Sequence, residues 1–178
     1  MKKLVLLALM VISIFSSCSD EEDGSYVIYD FAPINFYFEV VNSNGANILD
    51  STSTAYNKDF VAKTSITLQG KNYTMQGNYK AKVTPTTREY FTLFYGITIQ
   101  YESDGKAYAV IGPFMANYTW DQEMVQIHWG DGSEGVLQFS SSYRMKKNVP
   151  VFDRNCQYTW GDSTIVFKGS GYIIKKVE

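Results

Sequence analysis

His128, Cys156 and the carboxylates Asp121, Glu123, Asp131 and Glu134 are the residues of the central and later chain whose types could do chemistry. His128 is the only histidine, so a serine or cysteine hydrolase of the usual kind would need it as base. Cys156 could serve as nucleophile only if the fold brought it to His128. Neither a glycine-flanked elbow nor a basic setting surrounds it, and it reads as a half-buried strand residue. One histidine and one cysteine besides Cys18 fall short of the usual structural zinc sets, so no metal site and no cofactor is expected. Gly169-Ser170-Gly171 leads into a strand pattern and is a turn, not a phosphate cradle ahead of a helix.

The carboxylates leave one enzymatic reading, a small glycan hydrolase, because a glycosidase needs two carboxyl groups at a defined separation across a sugar. Asp121, Glu123, Asp131 and Glu134 flank one strand and its turn, where the plainer expectation is solvated acids at the end of a sheet. A calcium cluster of Asp131 and Glu134 with Asp104 or Asp153 lacks any EF-hand-like ligand run, and Asp-Gly turns ordinarily cap their own backbone. Aromatic stacking offers a binding chemistry instead: sugar CH faces lie on exposed Tyr or Trp rings beside polar groups. Tyr118 and Trp120, in the polar stretch Asn117–Gln122 between two strand patterns, are the expected stacking residues. The competing reading wedges them against the core at a sheet edge. Trp129 and Trp160 stand in alternating runs and are expected in the core.

The elements that must position these residues are strands. Tyr (14) and Phe (11) are abundant, and apolar residues recur at every second position. Ile34, Phe36, Phe38 and Val40 define one apolar face; Ile66 and Leu68, then Tyr79, Ala81 and Val83, define others, with Gly70-Lys71-Asn72 as a hairpin connection between them. The run Phe91 to Tyr101 reads as the longest strand and a central one. Ser103-Asp104-Gly105 turns into Ala107–Phe114, where Gly112-Pro113 marks a bulge or strand end. Val125–Trp129, Gly135–Phe139, Thr164–Lys168 and Tyr172–Val177 complete the set, with turns at Gly130-Asp131-Gly132 and Gly161-Asp162. Arg144, Lys146 and Lys147 read as a solvated loop, and Asp50–Asp59 as a mobile one. Lys175 and Lys176 suit an edge strand guarded against further pairing. With about eight or nine strands and no amphipathic helical stretch, the expected fold is all-β: an antiparallel β-sandwich, immunoglobulin-like, with a small β-barrel as alternative.

The chain start places the protein. Lys2-Lys3, the apolar run Leu4–Phe15 and Ser16-Ser17-Cys18 form an export signal too short to span a bilayer. Ser16-Ser17-Cys18 resembles the lipobox of bacterial lipoproteins, which implies cleavage before Cys18 and acylation of its thiol. The run Ser19, Asp20, Glu21, Glu22 and Asp23 resembles the surface-export signal of lipoproteins in Bacteroides and its relatives. The domain division is then residues 1–17 as signal peptide, 18–25 as lipidated cysteine and acidic tether, and 26–178 as one β-domain, the whole mature chain being long enough for one core. The formal net charge of −2 becomes −4 once Lys2 and Lys3 leave, so there is no electrostatic footprint for nucleic acid. With Cys18 acylated, Cys156 has no partner for an internal disulfide.

Together with Val41–Asp50, Leu68–Tyr73 and Ile127–Ser133, this start resembles small all-β lipoproteins of Bacteroidota, a group that brings no catalytic or ligand residues to carry over. Trp129-Gly130-Asp131-Gly132-Ser133 also resembles the Gly-Asp-Gly turn of PKD immunoglobulin-like domains, though Ile127-His128 stand where that motif has an aromatic and an acid. Asp50-Ser51-Thr52 and Asp162-Ser163-Thr164 resemble the short acceptor motif for O-glycosylation of exported Bacteroides proteins, which implies Ser51 and Ser163 as sites. The expected role is a non-catalytic protein of the outer membrane, lipid-anchored and cell-surface exposed, with a periplasm-facing placement as alternative. A glycan or an outer-membrane protein complex is the expected partner. The second reading is a structural or assembly component of the envelope or of a fimbria-like structure, whose edge strand adds to a neighbour.

Overall fold

Strand β1 (Ile34–Val41) alternates as its sequence dictates: Ile34, Phe36, Phe38 and Val40 are buried while Asn35, Tyr37 and Glu39 are partly open. The computed structural model describes residues 31–76, 94–147, 149–167 and 172–177, all within the unit Phe31–Glu178. The signal, Cys18 and the acidic run, the expected strand 79–83, residues 91–93 and the turn at 169–171 lie outside the described residues.

After β1 come helix α1 (Lys58–Lys63) and strands β2 (Ser65–Leu68), β3 (Lys71–Thr74), β4 (Ile97–Tyr101), β5 (Ala107–Phe114) and β6 (Trp120–His128). The chain continues through β7 (Glu134–Lys146), β8 (Val149–Trp160), β9 (Ser163–Phe167) and β10 (Tyr172–Lys176). They form two sheets, ordered β10-β1-β5-β4 and β3-β2-β6-β7-β8-β9. The domain is all-β, with one short helix among the described residues, and its pairing is mixed rather than purely antiparallel, because β10 runs parallel to β1. The inner faces meet through aromatic rings. Phe36 of β1 lies 5.0 Å from Phe139 of β7, and Phe38 lies 5.1 Å from Tyr158 of β8 and 5.4 Å from Trp129. Burying Phe36 and Phe38 completely stabilises the domain by about 1.5–3 kcal/mol each.

Several elements differ from the sequence reading. The β2–β3 connection is a two-residue turn, Gln69-Gly70, with both residues at positive φ (49° and 76°), as a hairpin matched to strand twist requires. The return strand therefore starts at Lys71. β4 begins only at Ile97 and sits at the end of its four-strand order, not at the centre. The bulge at Gly112-Pro113 holds: β5 carries one extra residue where its register against β1 shifts between Ile34 and Phe36. The 50–59 connection ends in α1, unforeseen because it is six residues long. Asn57 Oδ1 accepts from Phe60 N–H (2.9 Å) at its start, and Thr64 Oγ1 donates to Phe60 O (2.8 Å) at its end.

The largest differences lie in β7 and β8. β7 runs thirteen residues through Arg144 to Lys146, so these cations stand on a strand, not in a loop. β8, twelve residues long, pairs with it in register from Gly135↔Trp160 to Lys146↔Val149. The expected guard of the last strand is also overturned for Lys175. Ile173 and Lys175 share the inward face of β10, and the Lys175 side chain is 1% exposed. Its ammonium meets Asp131 Oδ2 (3.1 Å), donates to Lys176 O (3.2 Å) and stands 3.9 Å from the Trp160 ring centroid.

α1 also fixes the turn that carries Asp131. Gly130 N–H donates to Thr64 Oγ1 (3.0 Å), the Phe60 and Trp129 rings stack at 6.1 Å, and a Cβ on residue 130 would collide with the Phe60 backbone. Glycine is required there by close approach.

Candidate functional site

The outer face of the six-stranded sheet is set by the alternation that buries Ile66, Val125, Ile127, Leu137, Phe139, Cys156 and Tyr158 on the other side. Cross-strand register assembles two rows on it. One runs Thr67, Gln126, Val136, Thr159, Thr164, and the next runs Met124, Gln138, Gln157, Val166. Every polar member of these rows is an uncharged amide or hydroxyl. Gln157 Nε2 donates to Gln138 Oε1 (2.6 Å), and Thr159 and Thr164 join through their hydroxyls (3.1 Å).

Alongside the first row, on β6 and β7, His128 and Glu134 face each other, Nδ1 to Oε1, at 3.2 Å, and His128 Nε2 lies 3.4 Å from Thr67 Oγ1. Beside them an open depression of about 360 Å³ is lined by Gln126, His128, Glu134, Val136, Thr159 and Gly161 among others. It offers imidazole, carboxylate, amide and hydroxyl groups side by side. That inventory matches the donors and acceptors of sugar hydroxyls.

The structure separates Cys156 from His128 and gives the four acids different surroundings. Cys156 is buried opposite Phe139 on the inner face, whereas His128 stands on the outer face of the same sheet, so the two do not meet. The four acids have separate surroundings. Asp121 is exposed, Glu123 accepts from Gln69 Nε2 (3.2 Å), Glu134 faces His128, and Asp131 is held by Lys175 and Ser133. Burial pushes the Asp131 carboxyl up, but hydrogen bonds from the Ser133 hydroxyl and N–H and the Lys175 ammonium outweigh it and hold the group below its ordinary value. Ser133 N–H (3.0 Å) and Oγ–H (2.6 Å) both donate to Asp131 Oδ1, the self-capped Asp-Gly turn that the sequence favours. Among the described residues no group of three or more His, Cys, Asp or Glu side chains could hold a metal ion.

Trp120 is the first residue of β6 and pairs with Ser141, not a member of a loop. Its indole N–H donates to Met115 O (2.9 Å), and its ring packs on Phe114 (5.4 Å) and Phe139 (5.7 Å). Tyr118 stands edge-on to it at 5.0 Å and is 58% exposed, so of the two only Tyr118 offers a largely open ring. Trp129 is buried as expected, its N–H donating to Tyr158 OH (3.0 Å), while Trp160 keeps 38% of its surface. Ser51 is exposed, with its hydroxyl 3.2 Å from Tyr101 OH, and Ser163 is an exposed first residue of β9.

Sequence reasoning missed the amide rows. Their signal is the polar half of each alternation, which within a single run shows only the solvent side. It also missed an aromatic cluster on the other sheet, where Tyr37 and Tyr172 stack at 5.0 Å and Tyr108 meets Tyr172 edge-on at 5.3 Å. Tyr108 OH donates to Asp104 (2.7 Å), and that bond, with burial, pushes its phenol well above the ordinary range. No protein-family model, no curated protein and no solved structure matches this chain.

Proposed function

We propose that this chain is a lipid-anchored surface protein that binds a neutral glycan without transforming it, using the outer face of its six-stranded sheet. One observation carries the reading: two cross-strand rows whose polar members, among them Gln126, Gln138, Gln157 and Thr159, are all uncharged, with Gln126, Val136 and Thr159 of the first row lining a depression of about 360 Å³. An amide and hydroxyl array exchanges hydrogen bonds with sugar hydroxyls at small desolvation cost, and Met124 and Val166 supply apolar contacts for CH faces. Tyr118 is the stacking residue that this reading retains. A sandwich of two sheets, immunoglobulin-like in its proportions, would present that face on one side of the core. The start of the chain supports the anchor: a short apolar run, small residues before Cys18, and an acidic tether from Asp20 to Asp23.

The test is a glycan panel probed with the full chain, with Gln126→Ala plus Gln157→Ala, and with Tyr118→Ala. Loss of a captured glycan in the double variant, with no released product in the native sample, is the expected result. Capture unaffected by the double variant would move the site off this face, and product release would restore the hydrolase reading. Location is read by protease shaving of intact cells against a variant with Asp20, Glu21, Glu22 and Asp23 all replaced by alanine. Loss of the native protein alone is expected, and protection of both places it facing the periplasm.

A second reading has its own observation. With Lys175 turned inward, β10 ends its sheet among the described strands with Tyr172 and Ile174 about 60% exposed. Such an edge suits strand addition in an assembly. Self-association abolished by Ile174→Pro would support it, and a monomer at high concentration would remove it.

A further inference from the structure

We propose that the distal β7–β8 ribbon is an interfacial arm that seats on a membrane surface carrying anionic headgroups. Among the described residues, β6 pairs with β7 as far as Ser141, and β9 pairs with β8 from Cys156 onward. Beyond those limits the two strands have only each other among the described strands of the sheet, over a length of about 17 Å from Ser141 to Lys146 at about 3.4 Å per residue. The base of the ribbon is braced by Phe31, whose ring lies 5.3 Å from Tyr143 and 5.8 Å from Phe152.

The outer part is unlike the rest of the surface. Arg144, Lys146 and Lys147 are exposed there against the single acid Asp153, in a chain whose net charge is −2. Met145 is 48% exposed and Val149 58%, with Val151 also open. Register puts Arg144 across from Val151 and Lys146 across from Val149, so cations and aliphatic groups alternate at the tip. The three ion pairs found among the described residues all lie elsewhere.

A two-stranded ribbon with open aliphatic side chains is marginal in water. Alternating cations and aliphatics match a lipid interface, where the charges meet headgroup phosphates and the apolar groups enter the acyl boundary. A soluble polyanion would use the cations but gives Val149 and Val151 nothing to enter. The proposal stands apart from the glycan-binding reading and from acylation of Cys18.

The test places a reporter on the cationic face of the arm of the full chain, Val149→Trp, and reads quenching by brominated acyl chains. The vesicles are phosphatidylcholine alone, or phosphatidylcholine with about a quarter phosphatidylglycerol. Quenching on the anionic vesicles alone, weakened by salt, is expected; the local reporter separates the arm from any insertion by the apolar run Leu4–Phe15. Adding Arg144→Gln, Lys146→Gln and Lys147→Gln should lower partitioning about 100-fold, at about fivefold per cation, with near-UV circular dichroism unchanged. No quenching on either vesicle, or equal quenching on both, overturns the proposal. Tight capture by dextran sulfate without quenching on vesicles also overturns it and assigns the arm to a polyanion.

Discussion

Lys175→Met and Asp131→Asn should destabilise this domain unequally, and the order is fixed by which partner is left buried. At 3.1 Å and an effective dielectric of about 20, the gross attraction between ammonium and carboxylate is about 5 kcal/mol. Most of it offsets the desolvation of Lys175, which is 1% exposed, whereas Asp131 keeps 21% of its side-chain surface in water. Asp131→Asn preserves an Oδ1 for Ser133 but leaves the buried cation without a counter-charge, at a cost of about 3 kcal/mol. Lys175→Met keeps the aliphatic stem, removes the buried charge, and strands only a carboxylate that water can reach; about 1 kcal/mol is expected, much of it the lost ammonium contact with Trp160. The double variant should resemble Lys175→Met, giving a coupling energy of about 3 kcal/mol in magnitude. Urea unfolding with an unchanged m-value is the assay. A smaller loss for Asp131→Asn than for Lys175→Met would refute the argument that the buried ammonium dominates this contact.

The same pair sets an acid limit. Asp131 titrates below its ordinary value in the folded domain, so its contribution is complete above the unfolded carboxylate range and is lost as pH falls through the lower folded value. Stability measured by thermal melting between neutral and acid pH should therefore fall on the acid side, and Asp131→Asn should flatten that slope. Tyr158→Phe removes the acceptor of the buried Trp129 N–H, and an unpaired indole there should cost about 1–3 kcal/mol by urea unfolding with the fold retained.

The half-buried strands were legible in sequence because one clean face suffices to identify them: β1, β2 and the inward residues of β6 follow from alternation alone. β8 was not, since its outer half belongs to a ribbon with two accessible faces. There Val149 and Val151 share one face while Pro150, Phe152 and the partly buried Arg154 share the other, so neither reads as polar or apolar. α1 is too short for a period of 3.6 to register, and only Asn57 marked its start. Lys175 could have been placed by parity, because Ile173 facing inward requires residue 175 to do the same. Composition associates lysine with edges, but the alternation of β10 sets the direction of Lys175. The amide rows needed register between strands far apart in sequence, which no single run contains.

The parallel pairing of β10 with β1 makes the first and last described strands neighbours, with Tyr37 opposite Tyr172 and Val41 opposite Lys176. A chain that emerges in order, from a ribosome or through a translocation pore, therefore cannot complete its four-stranded sheet until residues 172–176 have arrived. The cation that Asp131 waits for arrives with them. In any such vectorial emergence the four-stranded sheet closes last, when its final described strand slides in beside its first.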